Sequence, residues 1–384
     1  MTKRVLLVGG YGNFGTFVAR RLSREAELTL IVAGRSQSKA RALAELLNVE
    51  WAQFDIFEDI DDHLRKLKPD VLVHTSGPFQ EQGYELAEAC IRNGVHYLDL
   101  ADGREFVANI ARLDTAARAA NVLVVSGAST VPGLTSAVLT KYAAEFRTLD
   151  SIDFGIATAQ KTNRGLATVK AVLGYAGKPF KTLIDGQMRD VYGWQGFRWR
   201  KFRGLGWRPL GNCDVPDLQL FPERFPTLRT IRFRGGLELP LLHAALWALT
   251  WFVRAGIIPN LRVAAPLLLR VSRLFDVFGT DDSGFYMGMN GRGADGQPKQ
   301  VVFDLTAKAA DGLMIPCTPA VVLTLDLVKG NMVQRGAMPC VGLVGLDDIL
   351  RELGALRITW NVSRTGDGVR VPDTTLSESQ KREA

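Results

Sequence analysis

The sequence predicts an α/β protein: an N-terminal Rossmann domain built on a doubly wound parallel sheet, followed by a second, mixed α+β substrate domain. Three observations carry this expectation. A β-type run at residues 4–8 leads directly into a knot of glycines and then an amphipathic stretch. Short apolar strands then alternate with helical segments as far as residue 129. Beyond residue 146 the pattern changes to strands of alternating polarity joined by hairpin turns. The chain has 384 residues, 47% of them hydrophobic, which suits two domains better than one.

The opening elements specify a ligand. Gly10-Tyr11-Gly12-Asn13-Phe14-Gly15 satisfies the G-x-G-x-x-G pattern, and Phe14, Val18 and Leu22 follow at helical spacing. Gly10 is expected to allow the tight turn, Gly12 to admit a pyrophosphate, and Gly15 to let helix and strand pack closely. Free N–H groups at the helix start, with Asn13 and Phe14 in its first turn, would face the phosphates. The second strand, residues 28–33, runs into Gly34-Arg35-Ser36-Gln37-Ser38-Lys39. An NAD site places a carboxylate there for the ribose 2′-hydroxyl, whereas this chain has two cations, Arg35 and Lys39. Arg35 can fork onto a 2′-phosphate and Ser36 can donate to it, so the expected cofactor is NADP. Asp55, after the third strand, is placed to meet the adenine edge.

The fourth strand lies in "DVLVHTSGPF", and its exit loop, Ser76-Gly77-Pro78, is expected to face the nicotinamide, because ligands sit beyond the carboxyl ends of parallel strands. A helix closed by Gly94 leads to "VHYLDLADG", and a further helical stretch leads to "VLVVSGAS". Tyr97, Asp99 and Asp102 fall at and just beyond one strand end on the nicotinamide side, so they are the candidate proton donors. His74, inside an apolar strand, reads as a core histidine, and His96 should point away from Tyr97 because neighbours on a strand alternate faces.

These stretches resemble the saccharopine dehydrogenase-like oxidoreductases. The resemblance rests on the glycine-rich turn, "SGPF" leading into a helix, "GVHYLDLADGREF" and "GASTVPGLTSAVL", and it covers residues 4–146. It implies a Rossmann domain followed by a mixed α/β substrate domain, with NAD(P)-dependent redox chemistry. Many relatives follow the His-Tyr-x-Asp strand with a Gly-Glu pair, where this chain has Asp102-Gly103-Arg104-Glu105. The short-chain dehydrogenase class is excluded, since none of the seven tyrosines has lysine four residues on.

The expected partition is a cofactor domain at 1–133 and a substrate and dimerisation domain at 134–335. A C-terminal helix at 336–360 returns to the first domain, and a polar, disordered tail occupies 361–384. In the second half, Asp295-Gly296 forms a hairpin turn, and Thr318 caps a helix that runs to Gly330. Two segments stand out. Residues 193–208 carry five basic residues and five aromatics without an acid; they read as an exposed loop, a flap over the cofactor, or a surface for nucleic acid or anionic lipid. Residues 239–278 form a hydrophobic helical insertion whose first 15 residues are uncharged, short of the roughly 20 needed to cross a bilayer. A dimer interface, a substrate wall, a membrane contact or a buried hairpin would each use it.

Net charge of +7 is mildly basic and spread along the chain, so nucleic-acid binding is not expected. Four separated cysteines without Cys/His pairing give no metal site and no disulfide framework, and a cytoplasmic location is the expectation. The expected function is an NADP-dependent reductase or dehydrogenase acting on a C=N, C=C or C–OH group of a small, apolar substrate, as a homodimer. The alternative is a non-catalytic NADP-binding or membrane-peripheral protein.

Overall fold

The computed structural model describes residues 2–365. Its first sheet is made of β1 (Lys3–Val8), β2 (Leu28–Gly34), β3 (Glu50–Gln53), β4 (Val71–His74), β5 (His96–Asp99) and β6 (Leu123–Ser126). Their spatial order 6-5-4-1-2-3 with all pairings parallel is the doubly wound arrangement. Both faces of β1 are apolar, and they serve different layers: Val5 and Leu7 look into one hydrophobic cluster, Leu6 and Val8 into another. Interleaved with the strands are α1 (Asn13–Leu22), α2 (Gln37–Leu47), α3 (Ile60–Leu67), α4 (Glu85–Arg92), α5 (Arg104–Ala108) and α6 (Asp114–Ala119). Gly94 ends the α4 segment in the left-handed conformation, φ +70°.

The chain leaves this sheet through α7 (Thr135–Ala143) and enters a second one. There β7 (Thr148–Ala157) is followed by α8 (Leu166–Tyr175), a hairpin of β8 (Pro179–Ile184) and β9 (Gln187–Tyr192), then β10 (Arg198–Phe202), β11 (Gly206–Asn212), α9 (Asp217–Arg224) and β12 (Thr230–Gly236). Helices α10 (Pro240–Arg254) and α11 (Ala265–Arg273) come next, before β13 (Ser283–Arg292), β14 (Pro298–Ala307), α12 (Thr318–Lys329), β15 (Gly336–Pro339), α13 (Leu346–Leu353) and β16 (Ile358–Thr365). The second sheet has the order 10-11-12-7-13-14-16 and is mixed, with β7 and β12 parallel and its other pairings antiparallel. The Asp295-Gly296 turn joins β13 to β14, and the Asp295 carboxylate accepts the Gln297 N–H at 2.9 Å.

Several expectations need correction. Residues 193–208 are not a loop: β10 and β11 form an antiparallel hairpin, in which Arg200 lies over the Tyr286 ring and Phe202 is buried. Composition explains the difference, because Arg198, Trp199, Lys201, Arg203 and Trp207 are all exposed, so basic and aromatic residues hide the β pattern. Helix α12 packs on α1, β4 and β5, so it completes a face of the first domain although it falls inside 134–335. Its Thr318 hydroxyl donates back to the Met314 carbonyl at 2.9 Å and does not cap the helix. With the preceding turn, residues 311–329 form a helical run apolar and long enough to span a bilayer, but 67% of its apolar window is buried in the protein, as a core helix would be. Strand β15 pairs in parallel with β6 as a seventh strand of the first sheet. Residues 361–365, placed in the tail by their polarity, belong to β16 and pair with β14; residues 366–384 of that expected tail lie outside the described residues.

Candidate functional site

The glycine turn between β1 and α1 is tighter than its motif suggests. The left-handed residue is Gly9, at φ +76°, and not Gly10, which instead lies against Val32 and Leu7. A Cβ on Gly15 would stand 2.2 Å from the Gly9 carbonyl oxygen and 2.7 Å from the Gly10 Cα, so no side chain fits where α1 crosses the turn. Gly12 is the exposed N-cap of α1, and no acidic residue occupies the first turn of that helix. Its N–H groups and the positive end of its dipole therefore face outward unneutralised, a cradle that fits a pyrophosphate. The Phe14 side chain packs against the core and its carbonyl accepts from the Cys317 thiol, which leaves its N–H in the first turn of α1. Asn13 exchanges two hydrogen bonds with Asn163 of the second domain, at 2.9 and 2.7 Å.

At the end of β2, the Tyr11 ring lies over Gly34, and its hydroxyl accepts the Ser36 N–H at 2.9 Å. Ser36 stands at the N-cap position of α2 without a side-chain capping bond, the first turn of α2 has no acid, and the Ser36 and Ser38 hydroxyls are 3.2 Å apart. Arg35 and Lys39 are exposed, with no ion pair among the described residues. Asp55 follows β3, and its carboxylate accepts the Phe57 N–H at 3.2 Å. Ser76 leans on the turn: a Cβ on Gly9 would meet the Ser76 hydroxyl at 2.2 Å. Gln82 braces the Ser76-Gly77-Pro78 loop by donating to the carbonyls of Ser76 (2.6 Å) and Pro78 (3.2 Å).

From Pro78 a cavity of about 820 Å³ opens between the two domains. The first domain lines it with the segments after β4 and β5, and the second with α8, β8 and the residues around Asp214 and Gly235. Cross-domain ion pairs hold its rim: Arg104 with Asp214, and Arg262 with Glu81. Arg104 also donates to the Lys181 carbonyl at 2.8 Å.

The three candidate proton donors separate here. Asp102 lines the cavity with its side chain open to it and accepts from Gln80 at 3.1 Å. Protein surrounds the cavity, and this burial raises the Asp102 carboxyl against the opposing pull of Gln80. Tyr97 and Asp99 do not reach the cavity, which corrects their assignment. Tyr97 is 1% exposed inside the first domain, its hydroxyl 3.0 Å from His74 Nδ1, and burial raises its phenol well above the usual value. Asp99 is fully buried and accepts from the Ser126 hydroxyl and the N–H groups of Gly127 and Ala101, each at 2.9 Å. It pins the loop after β6, and burial outweighs those bonds, leaving its carboxyl at about 6.

Sequence reasoning missed the opposite wall. Tyr175, at the end of α8, faces the cavity with its hydroxyl hydrogen-bonded to the Cys213 thiol, and burial raises it well above the usual phenol range. Lys170, five residues earlier on α8, shares that wall. No motif announces them, since α8 and Cys213 lie far from the glycine turn in sequence. The hydrophobic insertion contributes only Arg262 to the lining, so it is not the substrate wall that its composition suggested.

Residues 5–125 match the family described as the saccharopine dehydrogenase NADP binding domain. A 4-hydroxy-tetrahydrodipicolinate reductase of Syntrophomonas wolfei is 27% identical over 92 residues, which is 24% of this chain and 34% of that protein, so the likeness spans about a third of that relative. Among solved structures, the apo saccharopine dehydrogenase (L-Glu forming) of Saccharomyces cerevisiae superposes with a TM-score of 0.69 at 14% identity, over 95% of this chain and 100% of that one. The homospermidine synthase of Legionella pneumophila, solved with NAD, gives 0.59 at 11% identity, over 95% and 91%. At these identities the structures share the two-domain fold with this chain.

Proposed function

Because residues 5–125 match the saccharopine dehydrogenase NADP binding domain, we propose that this chain is an NADP-dependent oxidoreductase acting on a small molecule in the cleft between its two domains. The observation that carries the proposal is the continuity of the glycine turn, Ser76 and the cavity, with Asp102 on the cavity wall. Bound there, a nicotinamide cofactor supplies hydride exchange with a C=N, C=C or C–OH group. The chain's own residues do the rest. Gly12 and the start of α1 receive the pyrophosphate; Arg35, Ser36 and Lys39 receive a 2′-phosphate, which favours NADP over NAD.

Asp102 holds the proton. A carboxyl raised by burial keeps its acid form closer to neutral pH and can deliver a proton to the substrate in the reducing direction. Tyr175 and Lys170 on the facing wall orient a polar substrate, and the Arg104–Asp214 pair ties the two walls of the cleft together. This lining combines charged groups with Phe180 and Trp194, so it favours a substrate with both a polar end and an apolar part over a wholly apolar one. The test follows absorbance of the reduced nicotinamide with a panel of imines, carbonyl compounds and enoyl compounds. Turnover with one class and NADPH supports the reading, and binding of NADPH without turnover of any class would favour a non-catalytic cofactor-binding protein.

A further inference from the structure

Helix α10 presents an exposed face made of apolar residues. Leu241, Ala244, Ala245, Ala248, Trp251, Phe252 and Ala255 recur at helical spacing, and all are exposed, while His243, Thr250 and Val253 are buried against the second domain. The polarity of an ordinary surface helix is absent from this face. The connection to α11 continues the pattern with Ile257 at 69% and Val263 at 89% exposure, and α11 and the turn after it add Leu267, Val271, Leu274 and Phe278. Apolar surface of this extent on a folded chain marks something that covers it.

Charge identifies the cover. From residue 239 to 278 there are four arginines and one carboxylate, Asp276, which is already paired with Arg164, and Arg270 and Arg273 stand exposed beside the apolar row of α11 without an ion pair among the described residues. Phe197, just before β10, packs on the inner side of α10, its ring 5.3 Å from His243 and 5.6 Å from Trp199, which brings the β10–β11 hairpin beside this helix. Cross-strand register puts Trp199, Lys201 and Trp207 on one face of that hairpin, all exposed, and residues 193–213 contain no carboxylate. A second copy of the chain fits this surface poorly, since a two-fold contact would set cations against cations with no unpaired acid to meet them.

We infer that α10, α11 and the β10–β11 hairpin dock on the surface of an anionic lipid bilayer, apolar residues in the acyl boundary, tryptophans at headgroup level and arginines on lipid phosphates. Docking this way also sets the cleft beside the bilayer, because α11 packs on α8, whose Lys170 and Tyr175 line it.

The test uses the full chain and extruded vesicles of phosphatidylcholine, with and without about 30% phosphatidylglycerol, scored by cosedimentation. The expected result is binding to the anionic vesicles, weakened about tenfold or more by Trp251→Glu and, independently, by Leu267→Glu. Arg270→Ala with Arg273→Ala should weaken it as well, and salt of about 0.5 M should reverse the arginine-dependent part. Retained NADPH affinity in each variant reports that the fold is intact. Absence of vesicle binding, or binding unchanged in both glutamate variants, overturns the inference. So does a concentration-dependent dimer that Trp251→Glu dissociates while vesicles remain unbound, which would assign the surface to a second copy.

Discussion

Replacing Arg35 by alanine tests the cofactor assignment at its narrowest point. The guanidinium is exposed at the end of β2, with Ser36 and Ser38 beside it and the start of α2 free of acids. Two opposite charges 4 Å apart are worth about 1 kcal/mol in water and about 4 kcal/mol at the effective dielectric of a protein surface. An exposed arginine belongs near the lower value, and a charge-assisted hydrogen bond contributes about 1.5 to 3 kcal/mol. A net contribution of about 1 to 3 kcal/mol follows, or a preference for NADPH over NADH of about 5- to 150-fold. Titrating protein fluorescence with each nucleotide measures both affinities. Arg35→Ala should remove most of the preference and leave NADH binding nearly unchanged, since no other contact of the guanidinium is lost. Because the site is open, the preference should also shrink as salt rises. Equal affinities in the native chain, or a preference that survives Arg35→Ala, would refute the reasoning.

Three further outcomes are expected. Asp102→Asn should lower turnover of an identified substrate by about 10²- to 10⁴-fold with little change in NADPH affinity, and should abolish the fall in reductive rate as rising pH ionises the raised carboxyl. Gly15→Ala forces a Cβ to within 2.2 Å of a backbone oxygen, so it should weaken NADPH binding and destabilise the fold by about 1 to 3 kcal/mol, read from chemical denaturation. Asp217, fully buried against the Thr135 hydroxyl, is raised by burial to about 7. A carboxyl whose folded pKa exceeds its unfolded value confers stability at low pH that is lost as pH rises through about 7. Asp217→Asn should therefore gain about 2 to 3 kcal/mol relative to the native chain between pH 5 and pH 8, and a difference independent of pH would contradict the buried charge.

The parts legible in the sequence were those in which one local pattern decides one local structure. Leu6 and Val8 alternate with Val5 and Leu7, the glycine knot follows at once, and an amphipathic helix completes the unit, so β1, the turn and α1 could be read without neighbours. The end of β2 was equally readable as a position, since Arg35, Ser36 and Lys39 fall at the strand exit and the start of α2 as the sequence order requires, while their choice of NADP over NAD stays a proposal. What failed depended on distance. Tyr97 and Asp99 sit on the expected strand, but the sequence cannot show that a strand end stops short of the cavity while Asp102, three residues on, enters it. Tyr175 and Lys170 were invisible because their role comes from α8 folding back across the cleft. Strand β15 returns to the first sheet beside β6, a pairing across more than 200 residues that no local periodicity encodes.

The hydrophobic insertion shows why composition alone left a substrate wall, an interface, a membrane contact and a buried hairpin equally open. Apolar residues are normally buried, so a run of Leu, Trp and Phe near a substrate domain reads as a wall of the site. Here the buried side of α10 is set by His243, Thr250 and Val253, with Thr250 bonded to the Trp247 carbonyl at 2.6 Å and lying 3.3 Å from Gln195. Val253, Leu246 and Leu249 pack on the core beside these polar groups, so α10 is apolar on its inner side as well as on its exposed face. The cleft takes the opposite course and gathers Asp102, Arg104, Lys170 and Asp214 around it. Charge therefore lines the interior site while hydrophobicity covers part of the exterior. The small-molecule site proposed for the cleft and the docking surface inferred for α10 and α11 therefore share only Arg262.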